Sequence, residues 1–165
     1  MIKKTLLFIF HAHVPYIRQS DENEPLEAAQ LYEMLSYGLL PFLRMCRRLD
    51  SVPFKCALVI SPLLCEMLKS SLWQERYGVY LDRHIAFAQQ ELKRTSGTVC
   101  EDIVRMYLEF LTLNREDFHT RYKKDILSGI NFFVAKGCIE LLATSATPCF
   151  FPFYQDMPEA LTAQI

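Results

Sequence analysis

Three short, β-compatible apolar runs constrain this chain more than any other feature: "KTLLFIF" at residues 4–10, "FKCALVIS" at 54–61 and "CIELLATSAT" at 138–147. The continuous apolar character of the first marks a strand buried on both faces, the second reads as another buried strand, and the last makes a third strand. Between them lie stretches with helical spacing, and from Leu63 to about Lys136 nearly every segment reads as helix. Strands alternating with helices argue for a parallel sheet, in an α/β barrel or an open doubly wound fold. The chain has 165 residues, 51% of them hydrophobic, which is enough to fill a core. No repeat, low-complexity tract or linker divides it, so residues 1–165 are read as one unit.

Local signals refine this order. In the first strand Leu7, Ile9, His11 and His13 alternate onto one face. Asn23, Glu24 and Pro25 have the character of a helix entry. Leu26, Ala29, Tyr32 and Met34 or Leu35 then carry helical spacing. Gly38 and Pro41 predict a break into two helical pieces, the second ending near Leu49. Ser61 and Pro62 are expected to open a loop after the second strand. Gly137 fits a helix stop, and Asp156 a cap for a final helix with Pro158 near its start.

Eighteen basic and nineteen acidic side chains leave a net charge of −1. Bulk electrostatics therefore gives no reason to expect nucleic acid or an anionic membrane as partner. The clusters "MCRR" and "RYKK" sit beside acidic residues and read as solvated helix faces. "TLLFIF" is too short for a secretory signal, and no run approaches the ~18 apolar residues of a membrane span. The six cysteines are scattered without a CxxC pair. Free thiols in a reducing cytoplasm are expected, rather than a disulfide framework or a zinc site. No cofactor is expected.

The residues with chemical character begin in "FIFHAHVPYIR", where His11 and His13 end the first strand. In α/β barrels, functional side chains gather at the C-terminal ends of strands. The residues alone leave substrate binding, metal binding and a structural role open. A metal site needs three or four ligands, and His84 and His119 stand in helical segments without an acidic or histidine partner at i+3 or i+4. No metal is expected. Glu140 falls at the beginning of its strand, the edge away from a barrel's active site. Glu66 reads as a helix-surface charge, and Asp21 and Glu22 as loop residues. Cys149 has no histidine with a defined place beside it. Phe150, Phe151, Phe153 and Tyr154 suit packing of a loop over the strand ends, or stacking on sugar rings.

"FIFHAHVPYIR" resembles the opening of glycoside hydrolase family 57, where a His-x-His-x-Pro-Tyr signature ends the first barrel strand. "LEAAQLYEMLSYGLLPFL", "FKCALVISPLLCEML", and "GCIELLATSAT" with "FFPFY" and "MPEALTAQI" are similar to later regions of the family, in the same order. The subgroup resembled is the α-glucan branching-enzyme or AmyC-like type. The resemblance implies part of a seven-stranded (β/α)7 TIM-like barrel, here about three parallel strands with a long helical insertion. It also implies retaining chemistry on α-1,4-linked glucans, with His11, His13 and Tyr16 binding substrate. Retention requires two carboxyl groups roughly 5 Å apart. In the family both follow the region matching "ALTAQI", so they are expected beyond Ile165 and no catalytic residue is assigned. Relatives usually carry histidine where this sequence has Pro148, and the family's tryptophan before the first helix is replaced around Pro25.

The resulting expectation is the N-terminal part of an α-1,4-glucan-active enzyme, without turnover of its own. Three strands of a seven-strand design leave sheet edges unpaired. The alternative is therefore a non-catalytic carbohydrate-binding chain, or one that completes a barrel with a second polypeptide. The partner would be an α-glucan or maltooligosaccharide. A further alternative is a metal-dependent hydrolase using the His-x-His pair.

Overall fold

The computed structural model describes residues 6–18 and 26–164. Each apolar run contributes a strand: β1 (Ile9–Ala12), β2 (Cys56–Ile60) and β3 (Ile139–Leu142). They form one parallel sheet in the order β1-β2-β3. The strands are shorter than the runs, and β1 is displaced toward the histidines. The expected helix entry at Asn23–Pro25, and the acidic pair Asp21 and Glu22, lie outside the described residues.

Register assigns the two faces. Phe10 is level with Leu58, and Leu58 with Leu141. One residue along, His11 is level with Val59, and Val59 with Leu142. Side chains alternate along a strand, so Phe10, Ala12, Cys56, Leu58 and Ile139 turn one way. These join the hydrophobic core beneath the helices. Ile9, His11, Val59, Glu140 and Leu142 turn the other way. The expectation of a first strand buried on both faces therefore fails: Ile9 is 57% exposed and Leu7 64%. Among the described residues, helices cover only one face of the sheet.

The helix after β1 differs from its sequence pattern in two respects. Its buried face is Ala28, Leu31, Tyr32 and Leu35, whereas Leu26 precedes the helix and is 94% exposed. It also does not break in two. α1 (Ala28–Glu33) passes through a π turn (Met34–Leu39) into α2 (Leu40–Arg48). Pro41 has no N–H and crowds the carbonyl four residues back. A wider turn, with the Leu40 N–H donating to the Leu35 carbonyl, absorbs the misfit without ending the helix.

The long insertion is helical as its spacing predicts: α3 (Pro62–Lys69), α4 (Ser71–Arg94), α5 (Glu101–Glu116), a second π turn (Asp117–Arg121) and α6 (Ile126–Ala135). Ser61 opens no loop. Its hydroxyl accepts from the Leu64 N–H at 3.3 Å and caps α3 directly, with Pro62 in the first turn. Gly137 takes a left-handed φ of +75° after α6, the stop expected of it. A 3-10 turn (Phe151–Tyr154) leads to α7 (Pro158–Thr162), whose cap position is Met157 rather than Asp156. Among the described residues no helix is long and apolar enough to cross a membrane. Cys46 and Cys56 are buried, Cys65, Cys138 and Cys149 half-buried and Cys100 exposed, all as free thiols. Burial, with Cys56 and Cys138 close by, pushes the Cys46 thiol up to about 12.

A buried polar chain fastens the insertion to α2. The Arg44 Nε donates to Asp117 Oδ2 at 2.9 Å and its Nη2 to Asn114 Oδ1 at 2.8 Å. Asn114 Nδ2 donates to the Ser36 carbonyl at 3.0 Å, and the Ser36 hydroxyl meets the Tyr77 hydroxyl at 2.9 Å. Arg47 and Arg121 donate to the other Asp117 oxygen at 3.2 and 2.9 Å. "MCRR" and "RYKK" are thus not merely two separate solvated faces, because an arginine from each converges on one carboxylate.

Candidate functional site

The strand ends position the histidines. His11 is the third residue of β1, level with Val59, and His13 follows the last strand residue. The Ser61 N–H donates to the Ala12 carbonyl at 3.1 Å, holding the end of β2 beside that of β1. The two imidazoles lie nearly parallel, with planes 8° apart and centroids 6.2 Å apart. His11 is exposed and His13 half-buried. His13 Nδ1 is itself buried and has no hydrogen-bond partner among the described residues. A buried polar atom without a partner is costly, which marks this nitrogen as a place for a ligand contact.

Both rings line a pocket of about 340 Å³ with Ser61, Thr144, Ser145, Pro148, Cys149 and Phe150. Its far wall is the loop after β3. Thr147 donates from N–H and hydroxyl to Gln164 Oε1 at 2.8 and 3.0 Å, and the Ala146 N–H donates to the Gln164 carbonyl at 3.0 Å. The residues just past α7 thereby hold the wall in place. The lining offers imidazoles, hydroxyls and an aromatic ring, a set suited to hydrogen-bonding and stacking on a polyol. Among the described residues its lining includes no carboxylate.

Tyr16 is not brought to this pocket. It is 59% exposed and lines a separate depression with Glu66, Met67, Lys69 and Ser70. Cys149, for which the sequence defined no neighbouring histidine, lies on the same pocket as both. Phe150 reaches the pocket, whereas Phe153 is 83% exposed, so the aromatic loop is not packed down as a lid. Glu140 lines a depression with Lys55 and Gly137 at the opposite end of the strands, as its position predicts. Ser61, Thr144 and Ser145 were missed from sequence. The strand-end rule that singled out His11 and His13 finds them when applied to the second and third strands.

The remaining histidines serve helix packing. His84 Nδ1 donates to the Tyr80 carbonyl at 2.9 Å and its ring lies 3.9 Å from that of Tyr80. His119 sits against Gly78, where an added Cβ would come within 3.2 Å of its ring. Burial, with Lys124 and Arg115 nearby, holds the His119 pKa below the usual histidine value. Among the described residues no three His, Cys, Asp or Glu side chains gather as a metal-holding group.

The chain is similar to three known proteins. The chain is 26% identical over 166 residues to a 1,4-alpha-glucan branching enzyme of Thermococcus kodakarensis, covering 99% of itself and 24% of that protein. Its structure matches the alpha-amylase AmyC of Thermotoga maritima with a TM-score of 0.87 and 30% identity, over 96% of this chain and 30% of that one. A GH57-type branching enzyme of Pyrococcus horikoshii matches with a TM-score of 0.77 and 19% identity, over 86% of this chain and 27% of that one. The chain thus spans about a quarter to a third of the length of these relatives. No family model matches the sequence.

Proposed function

We propose that this chain, which belongs to the AmyC-like part of glycoside hydrolase family 57, forms one wall of an α-1,4-glucan site, in a partial (β/α)7 TIM-like barrel. The kinship is with α-glucan-active enzymes. The observation that carries it is the parallel histidine pair on the strand-end pocket, with the buried His13 Nδ1 unsatisfied. Imidazole nitrogens can donate to and accept from sugar hydroxyls, and Phe150 supplies a ring face beside them. His11 and His13 are the proposed contacts. Tyr16 would reach the same glucan only as a more distant subsite.

These residues bind without turning over. Retaining hydrolysis or transfer needs a nucleophile and an acid/base carboxyl about 5 Å apart, and the described residues that line the pocket include neither. Pro148 on the pocket wall offers no donor or ring nitrogen to a sugar, which limits the contact further. Titration of maltoheptaose into the 165-residue chain should give saturable binding, weakened roughly three- to tenfold by His11→Ala, the range expected for one hydrogen bond. Reducing ends and iodine staining of amylose should stay unchanged. Turnover by the chain, or undiminished binding by a His11→Ala, His13→Ala double variant, would overturn the reading.

A second polypeptide completing the barrel is the companion proposal, favoured by the open sheet face. Leu7, Phe8 and Ile9 are 64, 47 and 57% exposed, an unusual density of bare apolar side chains on and before a strand.

A further inference from the structure

We propose that the groove between α2, the second π turn and α6 binds a phosphomonoester, at the end of the molecule opposite the histidine pocket. α2 ends just before the turn into β2, and α6 ends just before β3. The groove therefore opens near the N-terminal ends of the strands, whereas His11 and His13 lie at the C-terminal ends. Its volume is about 490 Å³, and Arg47, Arg121, Lys136, Ser128 and Phe132 stand on its walls with Asp50.

Charge is the first ground. Asp117, beneath the groove, already receives Arg44, Arg47 and Arg121, and Lys136 pairs with Asp50 at 2.6 Å. Four cations thus face two carboxylates, and the surplus of two positive charges matches a phosphoryl dianion. Donor geometry is the second. A guanidinium has five N–H donors. Arg47 and Arg121 each give one to Asp117, and that bond anchors both forks on the groove. Arginine forks held in this way suit bidentate phosphate recognition. Shape is the third. The groove is larger than a bare phosphate requires, and Phe132, 55% exposed with Lys136 Nζ 5.0 Å from its ring centroid, presents an apolar wall for an ester body such as a sugar. The site uses none of the residues of the histidine pocket, so it stands or falls separately from the glucan reading.

Calorimetric titration of the chain with glucose 6-phosphate at low salt and pH 7.5 tests this, with inorganic phosphate and free glucose as parallel titrants. The ester should bind saturably and at least about tenfold more tightly than inorganic phosphate, with free glucose giving no heat attributable to this groove. Arg121→Gln and Lys136→Gln, each on a partly exposed side chain, should each weaken the ester about tenfold while circular dichroism stays that of the parent. If Arg121→Gln unfolds the chain, Lys136→Gln alone carries the comparison, because its partner Asp50 is on the surface. Absence of saturable ester binding, equal affinity for inorganic phosphate, or parent-like affinity in folded Lys136→Gln would overturn the proposal.

Discussion

Asp117 shows how much one side chain can decide. Burial works against its carboxylate, yet hydrogen bonds from Arg44, Arg121 and Arg47 prevail and hold its pKa below the ordinary value. Its stabilisation is therefore present above about pH 4, the unfolded-state value, and is lost as pH falls through the lower folded one. His119 acts in the same direction at higher pH. Its folded pKa is depressed, so unfolding takes up its proton first as pH drops below about 6.5. Asp117→Asn should cost about 3–5 kcal/mol at pH 7, because Arg44 is left buried without its counter-charge. It should also flatten the stability loss below pH 4. Urea midpoints from pH 3 to 7 measure both effects, and an unchanged midpoint at pH 7 would contradict the assignment.

Among the elements, α3 depends most visibly on a single upstream residue. Ser61 is buried, directly follows β2, caps α3 and lines the histidine pocket. Ser61→Ala should lower stability by about 1 kcal/mol through the lost cap, read as a fall in the thermal midpoint. The strand-helix-strand order, the helical insertion and the Gly137 stop were all legible because each rests on local spacing or on backbone freedom. What was illegible depended on tertiary partners. Pro41 suggested a break, but α1 and α2 bury one continuous face and a π turn proved cheaper than losing it. Asp156 had the chemistry of a cap, yet the helix begins one residue later. Arg47 and Arg121 looked like surface charge because nothing in a window of sequence shows that residues this far apart share Asp117. The histidine pair was legible from its place at a strand end, whereas the loop hydroxyls opposite it needed the sheet register.

At the scale of the whole molecule, helices among the described residues cover one side of the sheet and leave the other bare. Leu7 and Ile9 carry this asymmetry, and Ile139 and Leu58 show the opposite, buried side. A bare apolar face beside an unpaired strand edge favours association. The isolated chain should therefore self-associate at micromolar concentration, and Ile9→Lys should shift the population toward monomer in light scattering without changing helix content. An unaltered size distribution would show that this face is not where copies meet. The crossover from β2 to β3 has a consequence of another kind, in time. The Cys56 N–H bonds to the carbonyl of Cys138, 82 residues away. Pairings so distant in sequence form slowly, because the intervening chain must first be gathered in. The α4–α5 hairpin is local and can assemble early, shortening the effective tether. β3 then docks last, and with it the loop that faces the histidines, so the pocket is among the final parts of the molecule to come into being.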